Sequence, residues 1–527
     1  MNKTEQQKKN KIFDILIIVN ILLILISGFY LRFYKLAEVY TEYDDVGVVS
    51  LHKSLSNAHK KISLLNNSVL DIKINVKSKG LKENLLDSIW YVPYIGFAWT
   101  YPIGQYMIHP LLIDEGDSYY KKLWCSRMVS SLVSCLSLLL FLYLLYFMNG
   151  RRLDEMVLIP LALLNFSFNG ILYAHHASPY SMTVLTLLIS IILFTRYFEK
   201  RLSITFFFIF NAILIIFNYL ILLLMPAYFV VIVVNERIKS VKKIIQKFYR
   251  GILSFIFIVA PVFIIFLKVS KGMRGINPPK EFSVSYLLYF PKQFILSVSS
   301  TITGFFINDV VTVCLVSLCF ILVCWGYFRK QFLKNDLDSL MVLIIGILSL
   351  EWIILHGMSK LIMDTTRHML MWGPLIAIIF IIILKKSKRY PVFPVFIVIL
   401  VLILGFLSFQ KNIDIIDSKR NQFQFDLLAK NKINTLITYS FTLSPMIYFS
   451  EREVYNLDVG SFNKETFGDK IPKKMLLVSQ CAKIDDYLKQ KSIRPFIRNF
   501  LSRYSIVPIL LEFIKEKKKY VEKAYRI

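Results

Sequence analysis

Long apolar runs alternate with short polar gaps along most of this chain. Eleven runs stand out, at about residues 12–33, 122–148, 155–174, 178–197, 202–217, 219–235, 251–268, 308–328, 339–357, 368–384 and 391–409. Most approach the roughly 20 residues that a bilayer-crossing helix needs. The pattern predicts an all-α polytopic membrane bundle of about eleven transmembrane helices. Every second gap is basic: Lys3, Lys8, Lys9 and Lys11, then Arg151 and Arg152, Arg196 to Arg201, Arg237 to Arg250, Arg329 to Lys334, and Lys385 to Arg389. Positive charge of this kind is retained in the cytoplasm. The amino terminus is therefore expected inside, and an odd number of crossings sends the chain beyond residue 409 outside.

Three segments then face the exterior: a first loop at 34–121, a second at 269–307, and the tail from 410 to 527. The chain divides on this reading into a transmembrane domain, 1–409, and a carboxy-terminal extracytoplasmic domain, 410–527. In the first loop, the stretch from Trp90 to Pro110 is apolar but broken by prolines, and is expected at the membrane surface rather than across it. The tail reads as a small α/β domain. Thr435 to Tyr439 and Met475 to Val478 have the apolar, β-branched character of buried strands, while a stretch beginning near Lys483 and another from Ile506 to Tyr525 read as helical.

Composition narrows the function classes. Hydrophobic residues make up 56% of the chain and charged residues 19%, so the net charge of +28 is largely topogenic and does not describe a nucleic-acid-binding surface. Lys515 and Lys517 to Lys519 make the tail basic as well, which suits contact with anionic membrane lipids. Five of the six cysteines fall within apolar runs and Cys481 stands alone in the tail, so no disulfide is expected. The first run follows a basic start, exceeds the length of a signal-peptide core and lacks a small-residue cleavage site, and so reads as a retained anchor.

Three polar clusters sit at the outer ends of runs. The first follows Arg32-Phe33-Tyr34 and contains Asp44-Asp45. Paired carboxylates there can accept a proton from an acceptor hydroxyl or hold a cation, and the pair also suits a solvated loop start. The second is the short turn Tyr173-Ala174-His175-His176-Ala177-Ser178-Pro179-Tyr180, whose histidines can bind phosphate when protonated or a metal when neutral. The third holds Arg367-His368, where an outer arginine runs against the charge rule; it suits a specific anion, or pairing with Asp364 or Glu351. His109 lies at similar depth.

These clusters, in this order on a bundle of this topology, resemble the membrane glycosyltransferases of the GT-C fold, and in particular the branch of protein O-mannosyltransferases and bacterial aminoarabinose transferases of lipid A. Asp44-Asp45 looks like that branch's acidic pair, Tyr101-Pro102 like its proline-aromatic helix, the Tyr173–Tyr180 turn like its third-span turn, and Arg367-His368 like its late Arg-Tyr pair. His176 and Ser178 stand where Glu and Arg are usual, and Tyr101 where a Lys often precedes the proline.

The resemblance implies transfer of a sugar from a polyprenyl-phosphate-linked donor to a lipid, glycan or protein acceptor, with inversion. It implies catalytic roles for Asp44 and Asp45 and substrate binding by Arg367, His176, Tyr101 and His109. It assigns no cofactor, leaves a divalent metal open, and implies a bacterial plasma membrane. A lipid-linked oligosaccharide polymerase or ligase is the alternative of related chemistry. A transporter or flippase is the alternative of another class, expected to carry ionisable groups at mid-membrane and an internal repeat. Glu351 is the main charged residue of that kind.

Overall fold

The computed structural model describes residues 3–37, 119–177, 180–238, 240–270, 336–357, 368–387 and 393–418, positions 108 and 112, and five strands between 435 and 526. Among these residues the chain forms α1 (Lys3–Phe33), α2 (Tyr119–Met148), α3 (Glu155–Asn165), α4 (Phe168–Ala174), α5 (Tyr180–Phe198), α6 (Ile204–Phe217), α7 (Leu224–Asn235), α8 (Val241–Ser270), α9 (Leu337–Gly357), α10 (Trp372–Ser387) and α11 (Phe393–Ser418). Short 3-10 turns at Tyr219–Leu223 and His368–Met371 precede α7 and α10.

Four described segments are long and apolar enough to cross a membrane: Ile12–Phe33, Leu123–Met148, Tyr180–Phe198 and Ile397–Asp417. The run expected at 155–174 is not one straight helix. It breaks between α3 and α4 with a bend of 53°, and makes a fifth crossing if the two halves are one span. The runs at 202–217 and 219–235 become the shorter helices Ile204–Phe217 and Tyr219–Asn235, and a third short apolar helix covers Trp372–Lys385. Residues 251–268 and 339–357 are helical within α8 and α9, while 308–328 lies outside the described residues.

Local chemistry fixes the helix ends. Asp154 caps α3 by accepting from the Met156 amide, Ser167 caps α4 through Gly170 N, and Ser203 caps α6 through Phe206 N. Helices α2, α5 and α7 end in related ways. Gly150 (66°), Lys200 (60°) and Arg237 (51°) take positive φ, and the amide of the next residue reaches five residues back to a carbonyl; in α2 that next residue, Arg151, also has positive φ (63°). These bonds join Arg151 N to Tyr146 O, Arg201 N to Arg196 O, and Ile238 N to Val233 O.

Side chains inside the bundle bring helices together through polar contacts as well as apolar ones. Asn165, at the end of α3, donates from Nδ2 to Ile24 O of α1 at 2.7 Å. Asn412 of α11 donates to Phe166 O at 3.3 Å. Ser190 of α5 donates to Asn211 Oδ1 of α6 and lies 3.1 Å from the Tyr228 hydroxyl of α7. Phe194 stacks on Tyr228 with ring centroids 4.9 Å apart. Such hydrogen bonds hold apolar helices in register where lipid gives little hydrophobic preference for one helix over another.

The helices from Lys3 to Leu36 and from Arg127 to Ile415 form one compact unit, and the strands belong to a second. In the second, β1 (Thr435–Thr438), β2 (Glu453–Asn456), β3 (Leu476–Ser479), β4 (Val507–Leu511) and β5 (Glu522–Arg526) make a sheet of order β2-β1-β3-β5-β4. Strands β1, β2 and β3 pair in parallel, whereas β5 runs antiparallel to both β3 and β4. β1 and β3 occupy the two segments expected as strands. The helix expected from Ile506 to Tyr525 is corrected, because both of its described ends are strands. Val507-Pro508-Ile509-Leu510-Leu511 is a short continuous apolar run with an internal proline, a pattern that an edge strand accommodates and a helix interior does not. The segment beginning near Lys483 lies outside the described residues.

Gly28 marks a close helix approach. A Cβ built there would lie 1.6 Å from Asn165 Oδ1, so only glycine lets α1 meet the end of α3. Gly28→Ala is expected to destabilise the detergent-solubilised protein by about 1–3 kcal/mol in thermal unfolding. Adding Asn165→Ala removes the colliding amide and should recover part of the loss. Unchanged stability in the single variant would mean that the two helices do not meet there.

Candidate functional site

Helix α1 ends in a buried charged group. Arg32 is 1% exposed. Its Nε donates to Ser134 Oγ at 2.7 Å, and its Nη1 donates to Gly28 O at 2.9 Å and Asn165 O at 3.2 Å. The Arg32 carbonyl accepts from Ser131 Oγ, which also lies 2.9 Å from Ala174 O. Arg127 Nη1 donates to Leu36 O at 2.8 Å. Arg127, Ser131 and Ser134 are spaced i, i+4, i+7 on α2, so one helix face presents all three to the end of α1.

The short turn after α4 joins the same place. His175 places Nε2 2.9 Å from Tyr34 O and Nδ1 2.9 Å from Ile171 O. A neutral imidazole donates from only one nitrogen, so one carbonyl faces a ring lone pair. Burial nevertheless pushes the His175 pKa down to about 4 from an ordinary 6.5, against the upward pull of the two carbonyls and with help from Arg127 and His176. His176, 2% exposed, lies against Tyr173 with ring centroids 5.8 Å apart, and Tyr173 meets Tyr180 edge-on at 5.3 Å.

Tyr173 and Tyr180 in turn pack on Leu370 of the His368–Met371 turn, with Val184 beside them. The described flanks of all three sequence clusters therefore converge: Arg32 and Tyr34 from the first, His175 and His176 from the second, and Leu370 from the third. A small cavity lies at the junction, with Arg32, Ser134, Ser137, Gly170, Tyr173 and Ser181 in its wall. Of the residues expected to carry chemistry, His176 is placed here. Asp44, Asp45, Tyr101, His109 and Arg367 lie outside the described residues.

The described residues do not make a metal centre. None of them form a group of three or more His, Cys, Asp or Glu side chains suited to a metal ion, and both nitrogens of His175 are turned to backbone carbonyls. Sequence reasoning passed over Arg127, Ser131 and Ser134. Their signal was a polar stripe at helical spacing within an otherwise apolar run.

No protein family and no curated protein sequence matches the chain. Among solved structures it is similar to the crystal structure of ArnT from Cupriavidus metallidurans bound to undecaprenyl phosphate, a GT-C aminoarabinose transferase. The likeness covers 97% of each chain at 10% sequence identity, with a TM-score of 0.51. The fold of this chain is GT-C-like, and the protein is an integral membrane protein built on apolar helices.

The depressed pKa of His175 has a definite sign. Below pH 6.5 the unfolded chain takes up a proton at this ring that the folded chain refuses until about pH 4. Stability from this group is complete above pH 6.5 and declines as pH falls towards 4, by up to about 3 kcal/mol. Thermal unfolding of wild type and His175→Gln between pH 4 and 8 measures it; the variant should lose this part of the acid sensitivity. An acid-stable wild type would show instead that the ring is held as an imidazolium between its two carbonyls.

Proposed function

We propose that this chain is an integral membrane glycosyltransferase that moves a sugar from a polyprenyl-phosphate-linked donor to a lipid, glycan or protein acceptor. The observation that carries the reading is the convergence, at one end of a GT-C-like bundle, of the segments flanking the three polar clusters. A solved neighbour of this fold, ArnT, is bound to undecaprenyl phosphate, a lipid phosphate of the class proposed for the leaving group. The proposal includes the full set of eleven crossings, a cytoplasmic amino terminus, a bacterial plasma membrane location and an extracytoplasmic tail domain.

The reaction is one displacement. The acceptor oxygen forms a bond to the anomeric carbon as the carbon–oxygen bond to the lipid phosphate breaks, so the configuration inverts. Asp44 takes the acceptor's proton and Asp45 orients Asp44 or the acceptor. The departing lipid phosphate is already a stable anion and needs cationic contacts more than a proton. Arg367 supplies them, with Tyr101, His109 and His176 around the donor.

Transfer assays on purified variants of matched thermal stability, with a polyprenyl-phosphate sugar in nanodiscs, test this assignment. Asp44→Asn keeps shape and removes basicity, and should lower turnover by roughly 10²–10⁴-fold. Asp45→Asn should be milder. Wild-type turnover in Asp44→Asn, or a greater loss in Asp45→Asn, would reject these roles.

Arg367→Lys keeps the charge but loses the planar fork, so turnover should fall at unchanged protein level, and Arg367→Ala should weaken donor binding further. Normal donor affinity and turnover in both variants would remove Arg367 from the site.

A further inference from the structure

The cavity beside Arg32 is lined by polar groups with hydrogen-bonding capacity to spare among the described residues. Nε and Nη1 of Arg32 are taken up by Ser134, Gly28 and Asn165, while Nη2 lies 3.9 Å from the point where a side chain on Gly170 would begin. No described carboxylate forms an ion pair with this guanidinium. Ser181, 4% exposed, also lines the cavity, and its hydroxyl has no hydrogen-bond partner among the described residues. Ser134 accepts from Arg32 Nε, which leaves its own proton to donate. Gly170 contributes no side chain and so keeps the space clear. The room is small.

We infer that this cavity binds one small inorganic anion of the size of chloride, held by Arg32 Nη2 and the hydroxyls of Ser181 and Ser134. A water molecule could accept some of these hydrogen bonds but would leave the cation uncompensated in a low-dielectric interior, where an unpaired charge is costly. The anion neutralises Arg32 and ties α1, α2 and α5 at the point where the three clusters meet. Its role is in the fold and does not depend on sugar transfer.

The full-length protein in nanodiscs, titrated with sodium chloride against sodium gluconate at constant ionic strength, tests the inference by thermal unfolding. A ligand that binds only the folded state raises the midpoint in a saturable way. Chloride and bromide are expected to do so, and gluconate and inorganic phosphate are not. Ser181→Ala should raise the chloride concentration needed for half the effect by about tenfold, the loss of one hydrogen bond to a charged partner. Ser181→Asp supplies a fixed carboxylate; its midpoint in gluconate should match that of wild type in chloride, with no further response to chloride.

Equal midpoints in chloride and gluconate would overturn the inference in favour of a water. So would an identical chloride response in wild type and both Ser181 variants, which would indicate a general salt effect. A saturable phosphate effect that competes with chloride would make the cavity a phosphoryl site instead. None of these readouts involves transferase activity, so they stand apart from the test of Asp44 and Arg367.

Discussion

A guanidinium sealed among apolar helices must find its solvation in the protein, and Arg32 sets the terms for everything around it. Backbone carbonyls inside a continuous helix already accept from amides further along the chain and have only a second lone pair to offer, as Gly28 does to Arg32. Those at a helix end are free. The break between α3 and α4 therefore has a physical use: it releases the carbonyl of Asn165 to Arg32 and that of Phe166 to Asn412. Gly28 follows from the same requirement, since Asn165 can reach α1 only where a side chain is missing. An irregular backbone at this depth is tolerated because protein groups, not lipid, meet its exposed carbonyls.

The apolar runs made much of the helical architecture legible. Runs at 12–33, 122–148 and 178–197 correspond closely to Ile12–Phe33, Leu123–Met148 and Tyr180–Phe198. Hydropathy does not register where a helix should break, which is why 155–174 reads as one element. Ser167 and Asn165 were visible but are unremarkable by composition; their meaning comes from Arg32, more than 130 positions earlier. In the sheet, β1 and β3 were readable from their β-branched and apolar character. β5, Glu522–Arg526, was not, because its placement rests on pairing with β3 and β4 rather than on its own residues.

The site was legible in order and only partly in detail. The turn with two histidines was readable as a unit, yet its two rings differ in a way that adjacency in sequence cannot express. His175 is committed to two backbone carbonyls and fastens the turn to α1. His176 stands beside Tyr173, close to where the His368–Met371 turn arrives. One histidine fastens the turn to α1, and its neighbour packs against an aromatic ring. The α2 residues that complete the junction, Arg127, Ser131 and Ser134, escaped notice because three polar side chains dispersed in a long apolar run look like interruptions until they are set on a helix.

The endings of α5 and α7 carry a consequence for substitution. Each places a basic residue, Lys200 or Arg237, in the left-handed conformation that glycine adopts at no cost, where α2 uses Gly150. A cation there meets the partial negative charge of the helix's last carbonyls. Glycine in place of Lys200 or Arg237 would relax the backbone while removing that charge, so the two effects on stability would oppose each other.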